Sequence, residues 1–183
     1  MNLFSFLNKK TEKSGYKCSC CGQEYDDIPL CFGSPLPDYY YSVPPNEREN
    51  RIELEESLCV VDQEHFFQRG RLTIPIINHK DNLYFDVWTS ISEENFRKRM
   101  DLWENEERIN ESPYFGWLQT IILPYGDTLN LKTIAIEQGL GLIPEIVIIE
   151  EGHPLQIDQK KGITFKKARK MVRELLKAQH QKQ

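Results

Sequence analysis

His65-Phe66-Phe67-Gln68-Arg69-Gly70-Arg71-Leu72-Thr73-Ile74-Pro75-Ile76 is the stretch that decides the fold. Phe66, Gln68, Gly70, Leu72, Ile74 and Ile76 fall on one side of an extended chain, and Phe67, Arg69, Arg71, Thr73 and Pro75 on the other. Successive side chains of a strand point to opposite faces, so this period of two marks a strand with one mostly apolar face against a core. After the polar link Asn78-His79-Lys80-Asp81-Asn82 the alternation resumes. Leu83, Phe85, Val87, Thr89 and Ile91 share one face; Tyr84, Asp86, Trp88 and Ser90 share the other. Two alternating runs joined by a short polar loop predict a β-hairpin, and the span Leu58 to Ile91 is the expected scaffold.

Downstream, Ser92 is placed to cap a helix. Glu93 and Glu94 suit the positive end of its dipole, and Ile91 can staple onto Phe96. The expected core face of this helix is Phe96, Met100 and Trp103, with Arg97, Lys98 and Glu104 in water; an acidic loop, Glu104-Asn105-Glu106-Glu107, ends it. Strand patterns recur from Tyr114 to Leu118, through Leu129, Leu131, Thr133 and Ala135, and from Ile143 to Ile149. The last element is helical: Gly162 punctuates, Thr164 caps, and Ala168, Met171, Val172, Leu175 and Leu176 recur at helical spacing. Upstream, prolines 35, 37, 44 and 45 rule out a regular helix around Tyr39-Tyr40-Tyr41, at least one of which should pack inward. Asn46 to Leu54 suggests a short helical turn leading into a strand.

These elements predict a single-domain α+β fold: a mainly antiparallel β-sheet with two amphipathic helices, at about 92–104 and 164–178. Residues 1–15 are expected to be a loose N-terminal segment, 16–178 the domain, opening with a C-x-x-C-G turn, and 179–183 a tail. At 183 residues such a chain buries a sizeable core without staples.

Charge is unevenly placed. From Lys160 onward there are nine basic side chains against one acid, so that segment carries +8 and the rest carries −13 of the overall −5. An acidic body disfavours nucleic acid and favours basic protein partners. The basic face of the last helix reads as a solvated face. Leu3-Phe4-Ser5-Phe6-Leu7 is too short to span a membrane and no basic region precedes it, so no membrane partner is expected. Five cysteines, three of them within residues 18–21, do not resemble a secreted disulfide framework, and a cytoplasmic location follows as an expectation.

Cys18 and Cys21, with Gly22 after them, have the spacing of half a zinc knuckle. Cys59 and His65 are the candidates to complete it, with Cys20 or Cys31 behind them; a redox pair and plain thiols are the alternatives. Structural zinc is the one cofactor implied, if any. His79 and His180 are expected to be solvated, and His65 and His153 to be hydrogen-bonded core residues. Glu64 beside His65 invites acid–base chemistry, but adjacent strand residues face apart. No P-loop, H-E-x-x-H, G-x-S-x-G or dinucleotide fingerprint is present, and no residue is assigned a catalytic role.

Five strings taken together carry a family resemblance: Cys18-Ser19-Cys20-Cys21-Gly22, Leu58 to Gly70, Pro113 to Leu118, Asp127 to Thr133, and His153-Pro154-Leu155. From roughly Tyr16 to Leu176 the chain resembles the bacterial domain-of-unknown-function family 2199. The resemblance implies a small bacterial protein with an opening C-x-x-C-G and no stated activity. Cys31 and Gly152 depart from its pattern, which has a serine-like residue and an acid there. The leading expectation is a non-enzymatic protein-binding module, immunity- or antitoxin-like. Its surface would be Asp101, Glu104, Glu106 and Glu107 with Trp103 as aromatic anchor. The alternative is a metal-dependent hydrolase using Cys18, Cys21, Glu64 and His65.

Overall fold

The predicted hairpin forms, and the other strands assemble on it. A computed structural model describes residues 15–17, 22, 24–25 and 27–181. In chain order the elements are β1 (Tyr16–Lys17), β2 (Glu24–Tyr25), β3 (Cys31–Gly33), α1 (Arg48–Arg51), β4 (Ile52–Leu54), β5 (Leu58–Val61), β6 (His65–Ile74), β7 (Leu83–Ile91), α2 (Glu93–Asp101), β8 (Tyr114–Trp117), β9 (Lys132–Ile136), β10 (Glu145–Ile148), α3 (Pro154–Lys161) and α4 (Phe165–Gln181). β1 and β2 pair by themselves. β6 and β7 pair antiparallel from Phe66↔Ile91 to Ile74↔Leu83. The face predicted to be apolar is buried along both strands, with Leu72, Ile74, Leu83 and Val87 sealed completely.

The eight-stranded sheet runs β3-β7-β6-β10-β9-β8, with β5 on the first half of β6 and β4 beyond it. It is mostly antiparallel, but β3 lies parallel to β7 and β10 parallel to β6, so the sheet is mixed. It also curls back on itself. Beyond β8, Leu118 bridges to Thr89 of β7, Gln119 N donates to Trp88 O at 2.7 Å, and Trp88 N donates to Thr120 Oγ1 at 2.8 Å. The path β7-β6-β10-β9-β8 therefore returns to β7, and this closure hides the backbone edges that an open sheet would leave. Gly116 permits it: a Cβ there would stand 2.2 Å from the Ser90 carbonyl oxygen. Gly116→Ala is expected to force the two strands apart at a cost of up to about 3 kcal/mol, the upper end for overpacking. A melting curve checks it; an unchanged midpoint would mean that the strands do not close.

Inside the ring, Leu72, Ile74, Phe85, Leu118, Ala135, Ile146 and Ile148 form one core with Leu155 of α3 and Ala168, Met171, Val172 and Leu176 of α4. α4 starts at the hairpin-turn end, where Ile76 bridges to Ile163 and the His79 ring stacks on Phe165 at 4.7 Å. At the opposite end Ile91, Phe66 and Val60 cluster, with Phe96 of α2 packed on them as the staple predicts. The outer face of the hairpin is also covered there. Trp88, on the strand face it shares with Tyr84, Asp86 and Ser90, is fully buried with Val43, Cys59, Val61 and Phe67, and its Nε1 donates to Ser34 O at 3.0 Å. Tyr39 packs inward on Phe67, while Tyr41 is exposed.

Both predicted helices form, over Glu93–Asp101 and Phe165–Gln181. Other expectations need correction. α3 is an additional helix, capped by His153, whose Nδ1 accepts from Leu155 N at 3.2 Å. Within α2, Met100 is exposed and Arg99 takes the buried position. His65 is exposed at the start of β6 instead of lying in the core. Among the described residues no helix is long and apolar enough to cross a membrane.

Candidate functional site

At the α2 end the strand ring is closed by charge as well as by hydrocarbon. Glu137 follows directly on β9, where the alternation of Thr133, Ala135 and Glu137 turns its carboxylate inward. Two arginines meet it. Arg99 of α2 donates from Nη1 to Glu137 Oε1. Arg108, in the 3-10 turn Glu106–Asn110, donates to Oε2 from Nε at 3.2 Å and from Nη2 at 2.5 Å. Tyr114 Oη donates to Oε1 at 2.5 Å and stands 2.9 Å from Gln68 Oε1. Arg99 is 5% exposed, Arg108 4% and Glu137 7%.

A lone carboxylate in such a place would take up a proton to shed its charge. Burial does push the Glu137 carboxyl up, but the Arg99 charge and hydrogen bonds from Tyr114, Arg108 and Arg99 outweigh it, and the group is held below the usual carboxylate range. Burial, and then the negative charge of Glu137, push the Tyr114 hydroxyl up. Two guanidiniums against one carboxylate leave a net positive charge sealed at this end of the ring.

The centre also fixes the segment between its arginines. Ser92 caps α2, accepting from Asn95 N, and Asn105 caps the 3-10 turn, accepting from Glu107 N at 2.9 Å. Trp103 lies between the two anchors, with the Arg99 and Arg108 guanidiniums 5.6 and 5.9 Å from its ring centre. That is cation–π range, and the ring is still 40% exposed. Asp101, Glu104, Glu106 and Glu107, within four positions of it in sequence, are all exposed. Two cavities flank the arginines. One, of about 320 Å³, is lined by Lys98, Glu111, Tyr114 and Glu137 besides Arg99 and Arg108. The other, of about 390 Å³, adds Arg69, Asp86, Trp103 and Leu142 to the same two arginines.

A family model described as an uncharacterized protein conserved in bacteria, DUF2199, matches residues 17–163. The chain belongs to this family. The DUF2199 region holds the whole eight-stranded sheet and every member of the ionic centre, and it ends before α4, short of the Leu176 to which the sequence resemblance extends. No curated protein and no solved structure matches the chain.

Asp101, Trp103, Glu104, Glu106 and Glu107 lie on one exposed segment that runs from the end of α2 into the 3-10 turn. Cys18 and Cys21 lie outside the described residues. Cys59 is fully buried against Trp88, and burial pushes its thiol up to about 11. His65 sits on the neighbouring strand, paired with Val61 while Cys59 pairs with Phe67; its ring centre is 4.8 Å from that of Tyr39. Glu64 and His65 border an open groove with Asp38 and Trp117. Among the described residues no three His, Cys, Asp or Glu side chains converge as a metal site. Arg99, Arg108, Glu137 and Tyr114 are the residues that sequence patterning misses.

Proposed function

We propose that this protein is a non-enzymatic protein-binding module whose working surface is Trp103 within the acidic rim of Asp101, Glu104, Glu106 and Glu107. The proposed partner is a basic protein, in the manner of an immunity protein or antitoxin, an analogy of role rather than of fold. One observation carries this reading: Trp103 is exposed yet braced from beneath by two buried guanidiniums. An aromatic already held in its binding pose loses little entropy on contact, which is the behaviour of an interface anchor. The surrounding carboxylates would speed encounter with a cationic surface and reject acidic ones. The acidic body, −13 without its C-terminal segment, has the same sign. The test is retention of host proteins on immobilised wild type and on a Glu104→Lys, Glu106→Lys, Glu107→Lys triple variant at equal salt. The variant is expected to lose the partner while keeping its fold. The same proteins retained by both would place the working surface elsewhere.

We also propose a structural zinc at the Cys18–Cys21 turn, with Cys59 and His65 as candidates to complete the ligand set. What supports it is the C-x-x-C-G spacing. Reduced protein expressed in zinc-supplemented medium is expected to carry about one zinc per chain, and Cys18→Ser to lose it. Elemental analysis without zinc in the wild type would sink the idea.

A further inference from the structure

The cavity of about 390 Å³ beneath Trp103 has more donors than the protein satisfies. Arg69, Arg99 and Arg108 line it, with Ser57, Trp103 and Leu142 among the rest of the wall. The acids beside it are Asp86 and Glu56, together with Glu137 behind the arginines. Asp86 is gripped by both Arg71 Nε and Nη2, at 2.8 and 3.0 Å, which leaves Arg69 only a 4.0 Å approach. The Glu137 carboxylate is divided between Arg99 and Arg108, and Glu56 is solvated. Among the described residues, Arg99 Nε and Arg69 Nε are guanidinium nitrogens sealed without a hydrogen-bond partner. Three guanidiniums thus line one cavity, and Arg69 among them has no carboxylate closer than the 4.0 Å of Asp86.

The geometry points to a binding site for a small organic oxyanion, a carboxylate or a phosphate ester, taken by Arg69 and Arg99 with its apolar part against Trp103 and Leu142. We propose this as a second, independent site of the protein. Guanidinium forks match the planar or tetrahedral oxygens of such groups, and the surplus positive charge of the arginine–glutamate centre favours an anion over water. The cavity is thus a local reversal of the acidic surface around it. It does not depend on the protein-binding proposal, since a partner could dock on the rim with the cavity empty or full.

Inorganic phosphate and acetate are the probes, titrated separately into the full chain at ionic strength held constant with chloride. Tryptophan fluorescence and melting temperature are read together. A saturable fluorescence change is expected that vanishes in Trp103→Phe, alongside a rise in melting temperature that persists there. Saturation by phosphate alone assigns a phosphate ester, and by acetate alone a carboxylate. Arg69→Gln lies outside the buried centre and should weaken binding at least about tenfold, about 1.4 kcal/mol. Leu142→Glu, on an exposed wall position, should weaken it similarly by placing a carboxylate at the mouth. No saturable response to either probe would mean that only water fills the cavity. Wild-type affinity in both variants would equally overturn the assignment.

Discussion

Exchanging Glu137 for glutamine is expected to cost the fold about 3–5 kcal/mol, a large share of the stability of a domain of this size. The size of the effect comes from what is left behind. Arg99 and Arg108 are sealed with Glu137 as their shared counter-charge, and an amide keeps the shape but not the charge. Removing one partner of a buried ion pair costs more than the pair contributes, because the survivor keeps its desolvation penalty. The pH dependence follows with a definite sign. The folded-state carboxyl lies below its ordinary value of 4.5, so its contribution is present above that pH and is lost as pH falls through the depressed folded value. Wild type should therefore lose stability on acidification below about pH 4.5, and Glu137→Gln should lack this component of the loss. Denaturant melts from pH 7 downward measure both; parallel curves for the two proteins would show that Glu137 is not charged in the fold.

Val172→Asp is expected to unfold the protein under conditions in which Lys170→Glu does not. Val172 is fully buried in the core that α4 shares with the strand ring, and an unpaired carboxylate there costs several kcal/mol. Lys170 is exposed, with only a 3.9 Å approach to Glu174, so its reversal alters a solvated contact worth about 1 kcal/mol or less. Leu175→Asp should fall between the two, because Leu175 is only half-buried. Equal midpoints for Val172→Asp and Lys170→Glu would mean that α4 does not dock on the ring.

Where a signal is local, the fold was legible from the chain. The hairpin faces, the Ser92 cap and the α4 stripe each follow from spacing of two or of three to four residues. α3 was missed because Leu155, Gln156, Ile157 and Asp158 show no clear apolar stripe. Its readable signals were the punctuation marks, Pro154 at the first turn and Gly162 just past the end. Trp88 is covered by a second layer that alternation cannot show, built from residues 34–52 and 59–67.

The candidate site was half legible for the same reason. Trp103 and the carboxylates around it are adjacent in sequence, so they read as a group. The residues that brace them do not. Arg99 and Arg108 stand among charged neighbours that look like a solvated face, and Glu137, which makes their burial tolerable, lies 38 and 29 positions away. Met100 was given the core position because it is apolar. Arg99 occupies it because strand closure supplies a buried carboxylate there.

The central claim, that the braced Trp103 and its acidic rim form a working surface for a basic protein, is tested most directly by association kinetics with a partner retained by the wild type. Association is measured at rising salt for the wild type and for the Glu104→Lys, Glu106→Lys, Glu107→Lys variant. The account predicts fast wild-type association that falls steeply with salt, and slow, nearly salt-independent association for the variant. Equal rates with equal salt slopes would contradict it.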